Sequence, residues 1–197
     1  MRRSFGNLPS ERGRGRSAAP AARAAERGYT MPELVATLTV AAVVTALVMP
    51  SYQYVTNSSR VSAEINALLG DLQYARAQAI KEGQPVTVCA SADGLTCSGV
   101  TAWQQGWIVF SDPNANATVD AGEPIRRWQK PLTGTDTLDG GGLSALSFNR
   151  DGFPMAMAGT ATMTLHDASA TARWTRCVQV TRVGRLVTEL SGVGACL

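Results

Sequence analysis

Gly28-Tyr29-Thr30-Met31-Pro32-Glu33-Leu34-Val35-Ala36-Thr37 opens the stretch that decides the architecture, because from Tyr29 to Met49 the sole charge is Glu33. About 21 residues at ~1.5 Å rise make a helix of roughly 30 Å, the hydrocarbon thickness of a bilayer. The stretch reads as a membrane-spanning helix. Residues 1–28 before it carry seven arginines against Glu11 and Glu26, and few positive charges follow it. That asymmetry predicts the N-terminus inside and the C-terminal part outside. The charged segment is long and no small-x-small site follows the apolar run, so an anchor fits better than a secretory signal peptide. A carboxylate at bilayer depth costs up to about 2.5–3.5 kcal/mol, so Glu33 needs a partner or a purpose.

The helical pattern continues past the apolar run. Val61, Ile65, Leu68, Leu69, Leu72, Ala75, Ala79 and Ile80 recur at helical spacing, and Gly83 followed by Gln84-Pro85 is a stop. Pro50 removes one backbone hydrogen bond and is expected to kink the helix. The expectation is one long bent helix of about 80 Å over residues 29–83, apolar all round in its first half and amphipathic in its second. The domain boundaries follow: 1–28 a leader segment, 29–50 the apolar helix, 51–84 its amphipathic half, and 85–197 a β-rich domain.

Charge supports this division. The chain has Lys+Arg 18 and Asp+Glu 15, a net charge of +3. Residues 1–28 contribute +5, leaving 11 basic and 13 acidic residues beyond them, a net −2. The positive balance belongs to the leader, which is rich in Arg, Ala, Gly, Ser and Pro and is expected to be disordered. It gives no ground for reading the folded part as a nucleic-acid binder.

From Pro85 onward, short β-branched runs alternate with turn residues. The predicted strands are 86–90, 107–111, 125–129, 146–149, 161–166, 175–181 and 186–190, with Gly94, Gly99, Gly140-Gly141-Gly142, Gly152 and Gly184 between them. The fold class is α+β, the amphipathic half-helix packing on antiparallel sheet. Four cysteines allow three pairings. The local solution joins Cys89 to Cys97 and Cys177 to Cys196, pinning the first hairpin and the C-terminal tail. Such bridges persist in an oxidising compartment, matching the charge-derived orientation. Zinc would need tighter Cys spacing.

Asp112-x-Asn114-x-Asn116-x-Thr118-x-Asp120-x-x-Glu123 has the ligand spacing of a calcium loop. Asp112, Asn114, Asn116, Asp120 and Glu123 are the candidate ligands. Ala117 stands where an EF-hand has Gly, and the flanks read as strands, so an Asx-rich turn is the simpler reading. Enzymatic readings find no support. The single histidine, His166, excludes a multi-histidine metal centre and has no evident partner. No serine sits in a nucleophile-elbow context, and Gly140-Gly141-Gly142 lacks a strand–helix phosphate loop. Trp103, Trp107, Trp128 and Trp174 suit core or interface positions.

The string Gly28 to Leu34 resembles the prepilin cleavage site of type IV pilins and type II secretion pseudopilins. The resemblance implies cutting between Gly28 and Tyr29, methylation of the Tyr29 amine, and Glu33 as fifth residue of the mature chain. The new amine would neutralise Glu33 or pair with a neighbouring subunit's carboxylate. Tyr29 stands where the family usually has Phe, and Pro32 replaces an aliphatic residue. Pro32 is tolerable because the fourth mature residue has no intrahelical N–H partner, and the carbonyl its ring would clash with leaves with Gly28. Pilins commonly carry a proline at the place of Pro50.

Val86-Thr87-Val88-Cys89, Trp103, Gly106-Trp107-Ile108-Val109-Phe110, Phe148-Asn149-Arg150-Asp151-Gly152 and the late Cys177 and Cys196 together resemble the GspH/FimT family of pseudopilins. This implies a minor, non-enzymatic subunit of a type II secretion pseudopilus or a type IV pilus. It would be anchored in the inner membrane with its C-terminal domain in the periplasm. Its partners would be other pilins or pseudopilins, a prepilin peptidase and the inner-membrane assembly platform, with no cofactor. The FimT branch can carry a Gly-Arg-x-Arg signature linked with DNA uptake. Gly184 and Arg185 match it, while Val187 replaces the second Arg. Arg173, Arg176, Arg182 and Arg185 form a basic stretch that could contact DNA phosphates. A solvated strand face is the simpler reading, given the missing Arg.

Overall fold

The computed structural model describes residues 28–196. The predicted leader therefore lies outside the described residues, apart from Gly28. One helix, α1, runs Met31–Glu82 and is followed by eight strands: β1 Val86–Ala90, β2 Trp107–Ser111, β3 Ile125–Gln129, β4 Thr137–Asp139, β5 Ala145–Phe148, β6 Ala161–His166, β7 Arg176–Val180 and β8 Leu186–Leu190. The fold class is α+β. The chain divides into a short unit ending at Thr45 and a larger unit from Ala46 onward.

In the first unit, α1 begins where the sequence allows it. The Thr30 carbonyl accepts from Glu33 N at 3.0 Å and Leu34 N at 3.1 Å. Pro32 sits in the first turn, where an N–H would have no intrahelical partner. Glu33 also lies in that turn, where the helix dipole favours a carboxylate. The helix runs unbroken through Pro50.

In the larger unit, Val61, Ile65, Leu68, Leu72, Ala75 and Ala79 form one buried stripe on α1. Ile80, expected on that stripe, is exposed instead. The Gly83 N–H closes the helix on the Ala79 carbonyl at 3.0 Å, with Gly83 at φ 67.

The strands form two four-stranded antiparallel sheets, β3-β2-β1-β5 and β4-β6-β7-β8. Both contribute to the core around α1. Val86, Val88, Trp107 and Val109 come from the first sheet, and Met163, Leu165, Val178 and Val180 from the second. β1 and β2 are buried on both faces. Their alternate residues Cys89, Ile108 and Phe110 make a second cluster, covered by Cys97, Val119 and Ile125. This is why both strands read as continuous apolar runs rather than alternating ones.

Candidate functional site

Every residue of α1 from Met31 to Met49 is exposed, and the stretch is long and apolar enough to cross a membrane. Its polar side chains are mostly satisfied within the helix. Thr37 Oγ1 donates to the Leu34 carbonyl at 2.9 Å, Thr39 Oγ1 to Val35 at 2.7 Å, and Thr45 Oγ1 to Ala41. A hydroxyl bonded to its own helix carries little desolvation cost into lipid. Glu33 thus remains the sole charged group on an otherwise apolar surface. Gly28 and Tyr29 precede α1 and are exposed. The predicted cleavage point therefore lies just before Tyr29, four residues ahead of Glu33 in the sequence.

The structure joins Cys89 to Cys97 and Cys177 to Cys196, each with Cα atoms 5.6 Å apart. The first bridge closes a loop ordered by Asp93. Its carboxylate accepts from Leu95 N at 2.8 Å, Thr96 N at 2.9 Å and Thr96 Oγ1 at 2.8 Å. Those donors, the backbone N–H of Leu95 foremost, hold its pKa well below the ordinary aspartate value. The second bridge ties the buried Cys196 to Cys177 near the start of β7.

The candidate calcium loop is an Asx-built turn. Buried Asp112 accepts from Thr87 Oγ1 at 2.7 Å, Asn116 N at 3.1 Å and Ala117 N at 3.0 Å. Ala117 has φ 56, so the left-handed turn an EF-hand gives to Gly is made here by alanine. Asn114 and Asn116 point their amide NH2 groups at Asp120, at 2.9 and 2.8 Å, because their Oδ1 atoms accept backbone N–H groups. Glu123 accepts the Asp120 N–H at 2.9 Å. The side-chain donors therefore face the acidic centre, the polarity opposite to that of a cation cage. Among the described residues, no group of three or more His, Cys, Asp or Glu is placed to hold a metal ion.

The four arginines read as one basic stretch are divided by β7. Arg173 and Arg176 stand at its start, Arg182 and Arg185 beyond its end, roughly 20 Å away at ~3.3 Å per residue. Arg182 and Arg185 are exposed on the β7–β8 turn. Gly184 between them is buried at φ 74, and a Cβ there would come within 2.5 Å of the Gly152 carbonyl. The backbone thus accounts for this glycine. The turn gains a cation from α1, since Arg76 Nη1 donates to the Gly184 carbonyl at 2.6 Å.

Three polar constellations were not visible in the sequence. Asp71, buried on α1, accepts the Trp107 indole N–H and the Arg127 guanidinium, which also lies 3.9 Å over the Tyr74 ring. A usable signal was present: Asp71 falls on the apolar stripe, between Leu68 and Leu72. Arg60 Nη2 donates to Asp136 Oδ1 at 3.0 Å, and its Nε lies 3.0 Å from Oδ2 but off the line of a hydrogen bond. Beside that pair, Glu64 is pushed above its ordinary value of 4.5 by burial, then by its hydrogen bond with and repulsion from Asp136, against the pull of Thr133 and Arg60. Thirdly, the Tyr54 and Trp174 rings meet at 5.0 Å, with the Arg173 guanidinium 5.3 Å over Tyr54. His166 Nδ1 shares a 3.0 Å hydrogen bond with Oγ1 of Thr175, the residue after Trp174.

The model of the family described as type II transport protein GspH matches residues 64–184. Two solved structures of the Pseudomonas aeruginosa PAO1 type IV minor pilin FimU share the fold. One has a TM-score of 0.53 at 18% identity, covering 70% of this chain and 92% of that one. The other has a TM-score of 0.50 at 18% identity, covering 65% and 91%. No curated protein matches the chain.

Proposed function

Because the chain belongs to the GspH family, we propose that it is a minor pseudopilin, a structural subunit that enters a type II secretion pseudopilus or a type IV pilus through its N-terminal helix. The observation that carries this reading is the uncovered apolar surface of Met31–Met49, interrupted by Glu33 alone. Such a surface is stable only against lipid or against sister helices. In the bilayer it anchors the subunit in the inner membrane, with the domain from residue 85 onward in the periplasm. There the compartment keeps both disulfides oxidised. Prepilin peptidase cuts between Gly28 and Tyr29, and the Tyr29 amine is methylated. That cation meets Glu33, on its own helix or a neighbour's, as the assembly platform draws the subunit into the fibre. The role asks for no catalytic group.

Mass spectrometry of the membrane-extracted protein tests the reading. The expected species begins at Tyr29 with a methylated amine; a chain still carrying its arginine-rich leader overturns it. Glu33→Ala should leave cleavage intact and abolish cross-linking into the fibre. Normal cross-linking would remove the docking role.

A second reading, DNA contact at the β7–β8 turn, is supported by Arg76 joining Arg182 and Arg185 there. Three cations on one turn could neutralise phosphates, with binding that weakens steeply as salt rises. A mobility shift that is unchanged in the Arg182→Ala/Arg185→Ala protein rules this site out.

A further inference from the structure

The corner formed by Tyr54, Trp174 and Arg173 lies next to the end of the apolar stretch. Tyr54 follows Met49 by five residues, about 7.5 Å along a helix axis. The polar layer of a bilayer reaches about 5–7.5 Å outside each face of the hydrocarbon, so five residues take the helix to its outer edge. A helix leaving the hydrocarbon near Met49 therefore carries Tyr54 at the depth of the lipid headgroups. Trp174 is bound to that depth by its ring contact with Tyr54, and Arg173 by its position over the same ring.

The segment that brings Trp174 there is built for such contact. Residues 168–172, Ala-Ser-Ala-Thr-Ala, are exposed and uncharged. The nearby acid, Asp167, is buried and accepts the Thr171 N–H at 3.0 Å, so it presents no negative charge outward. Arg176 Nη1 donates to the carbonyls of Arg173 and Thr175 at 3.0 and 2.8 Å, fixing the short 3-10 turn Ala172–Trp174. On α1, no charged residue occurs between Met49 and Arg60. The outward charge of this corner is thus wholly cationic, complementary to phosphate. Amphipathic rings paired with arginine favour the membrane–water interface.

We propose that this corner rests on the phospholipid headgroup layer, with Trp174 and Tyr54 at headgroup depth and the Arg173 guanidinium on lipid phosphate. The contact seats the β domain against the bilayer before the subunit leaves it. The inference rests on reading Tyr29–Met49 as the membrane span.

The test places the full-length protein, at low protein-to-lipid ratio, in phosphatidylethanolamine–phosphatidylglycerol vesicles bearing a nitroxide on the headgroup, and reads tryptophan quenching. Trp103 and Trp107 are buried. Trp128 neighbours Arg127, which packs on Tyr74, twenty residues and about 30 Å beyond Tyr54 along α1. Quenching should therefore fall on Trp174 and vanish in Trp174→Phe. The exposed-site variant Arg173→Glu, which keeps every tryptophan, should reduce the quenched fraction roughly twofold or more. Equal quenching in wild type and both variants, with all three floating with the vesicles, overturns the contact and leaves the membrane span standing. A difference confined to high protein density assigns the corner to a second copy of the chain and also overturns it. Failure of the wild type to float refutes the membrane span, and the proposal with it.

Discussion

Asp71 on α1 accepts the indole N–H of Trp107 on β2 at 2.9 Å, a hydrogen bond made between groups 36 residues apart in sequence and both buried. It fixes the helix against the first sheet at one place along an otherwise non-directional apolar seam. The same carboxylate pairs with Arg127 at 2.8 Å, but that guanidinium is about half exposed, and ion pairs of that kind contribute about 0–1 kcal/mol. The buried indole bond therefore contributes more than the ion pair. Asp71→Ala strands a buried donor and should cost about 1–3 kcal/mol, while Asp71→Asn retains an acceptor and should cost less. Urea unfolding of both variants beside Arg127→Ala checks the ranking; a larger loss in Arg127→Ala than in Asp71→Ala would reverse the assignment.

The Cys177–Cys196 bridge closes a loop with a sequence separation of 19. Loop-closure entropy for that length gives about 3 kcal/mol of stabilisation. Replacing both cysteines by serine should lower unfolding stability by about that amount and expose the tail after β8 to limited proteolysis. An unchanged proteolysis pattern would mean that the tail is held by its other contacts.

Two glutamates on α1 should give opposite pH responses. Burial pushes Glu82 upward, but hydrogen bonds from Ser111 and Gln84 and the Arg126 guanidinium outweigh it, so its pKa lies below 4.5. Its contribution is present above pH 4.5 and is lost as pH falls through the depressed value. Glu64 is raised, so its contribution is full below 4.5 and is lost as pH rises through the raised value. Oε2 of Glu64 and Oδ2 of Asp136 are both buried without a donor, and a proton held between them satisfies both. Glu82→Gln should therefore lower Tm at neutral pH, and Glu64→Gln, which supplies a permanent donor, should raise it. Thermal melts across pH 3 to 8 read both signs, in the range where carboxyl groups titrate.

The 112–123 turn closes on hydrogen bonds from its own amides and backbone. Calorimetric titration with millimolar calcium should give no heat above the chelator-treated baseline. Saturable heat abolished by Asp120→Asn would establish a cation site instead.

Much of this architecture was legible because its causes are local. The helix stripe, the Gly83 stop and the apolar character of β1 and β2 are periodicity and turn chemistry written in adjacent residues. The strand predicted at 146–149 spans Ala145–Phe148 instead, because the Asn149 side chain accepts the N–H groups of Asp151 and Phe153 and turns the chain. β4 was invisible: three residues between Gly134 and Gly140 become a strand only by pairing with β6, Thr137 opposite His166. The same cause hid the division into two sheets and the partners of Asp71 and Glu64, which lie tens of residues away. Spacing along a strand is not proximity, and β7 carries Arg176 and Arg182 apart, so the four arginines divide into two pairs.

The threonines of the apolar helix spend their hydroxyls on their own carbonyls. A rod of this kind offers sideways neighbours no directional handhold, so exchanging lipid for another rod breaks no hydrogen bond and imposes no preferred height. On the proposed role, such a rod would slide and turn until its lone acidic group met a cation. Axial stagger between successive subunits would then be dictated by one carboxylate, and moving that group a single turn along the rod should shift the whole repeat by about 5.4 Å.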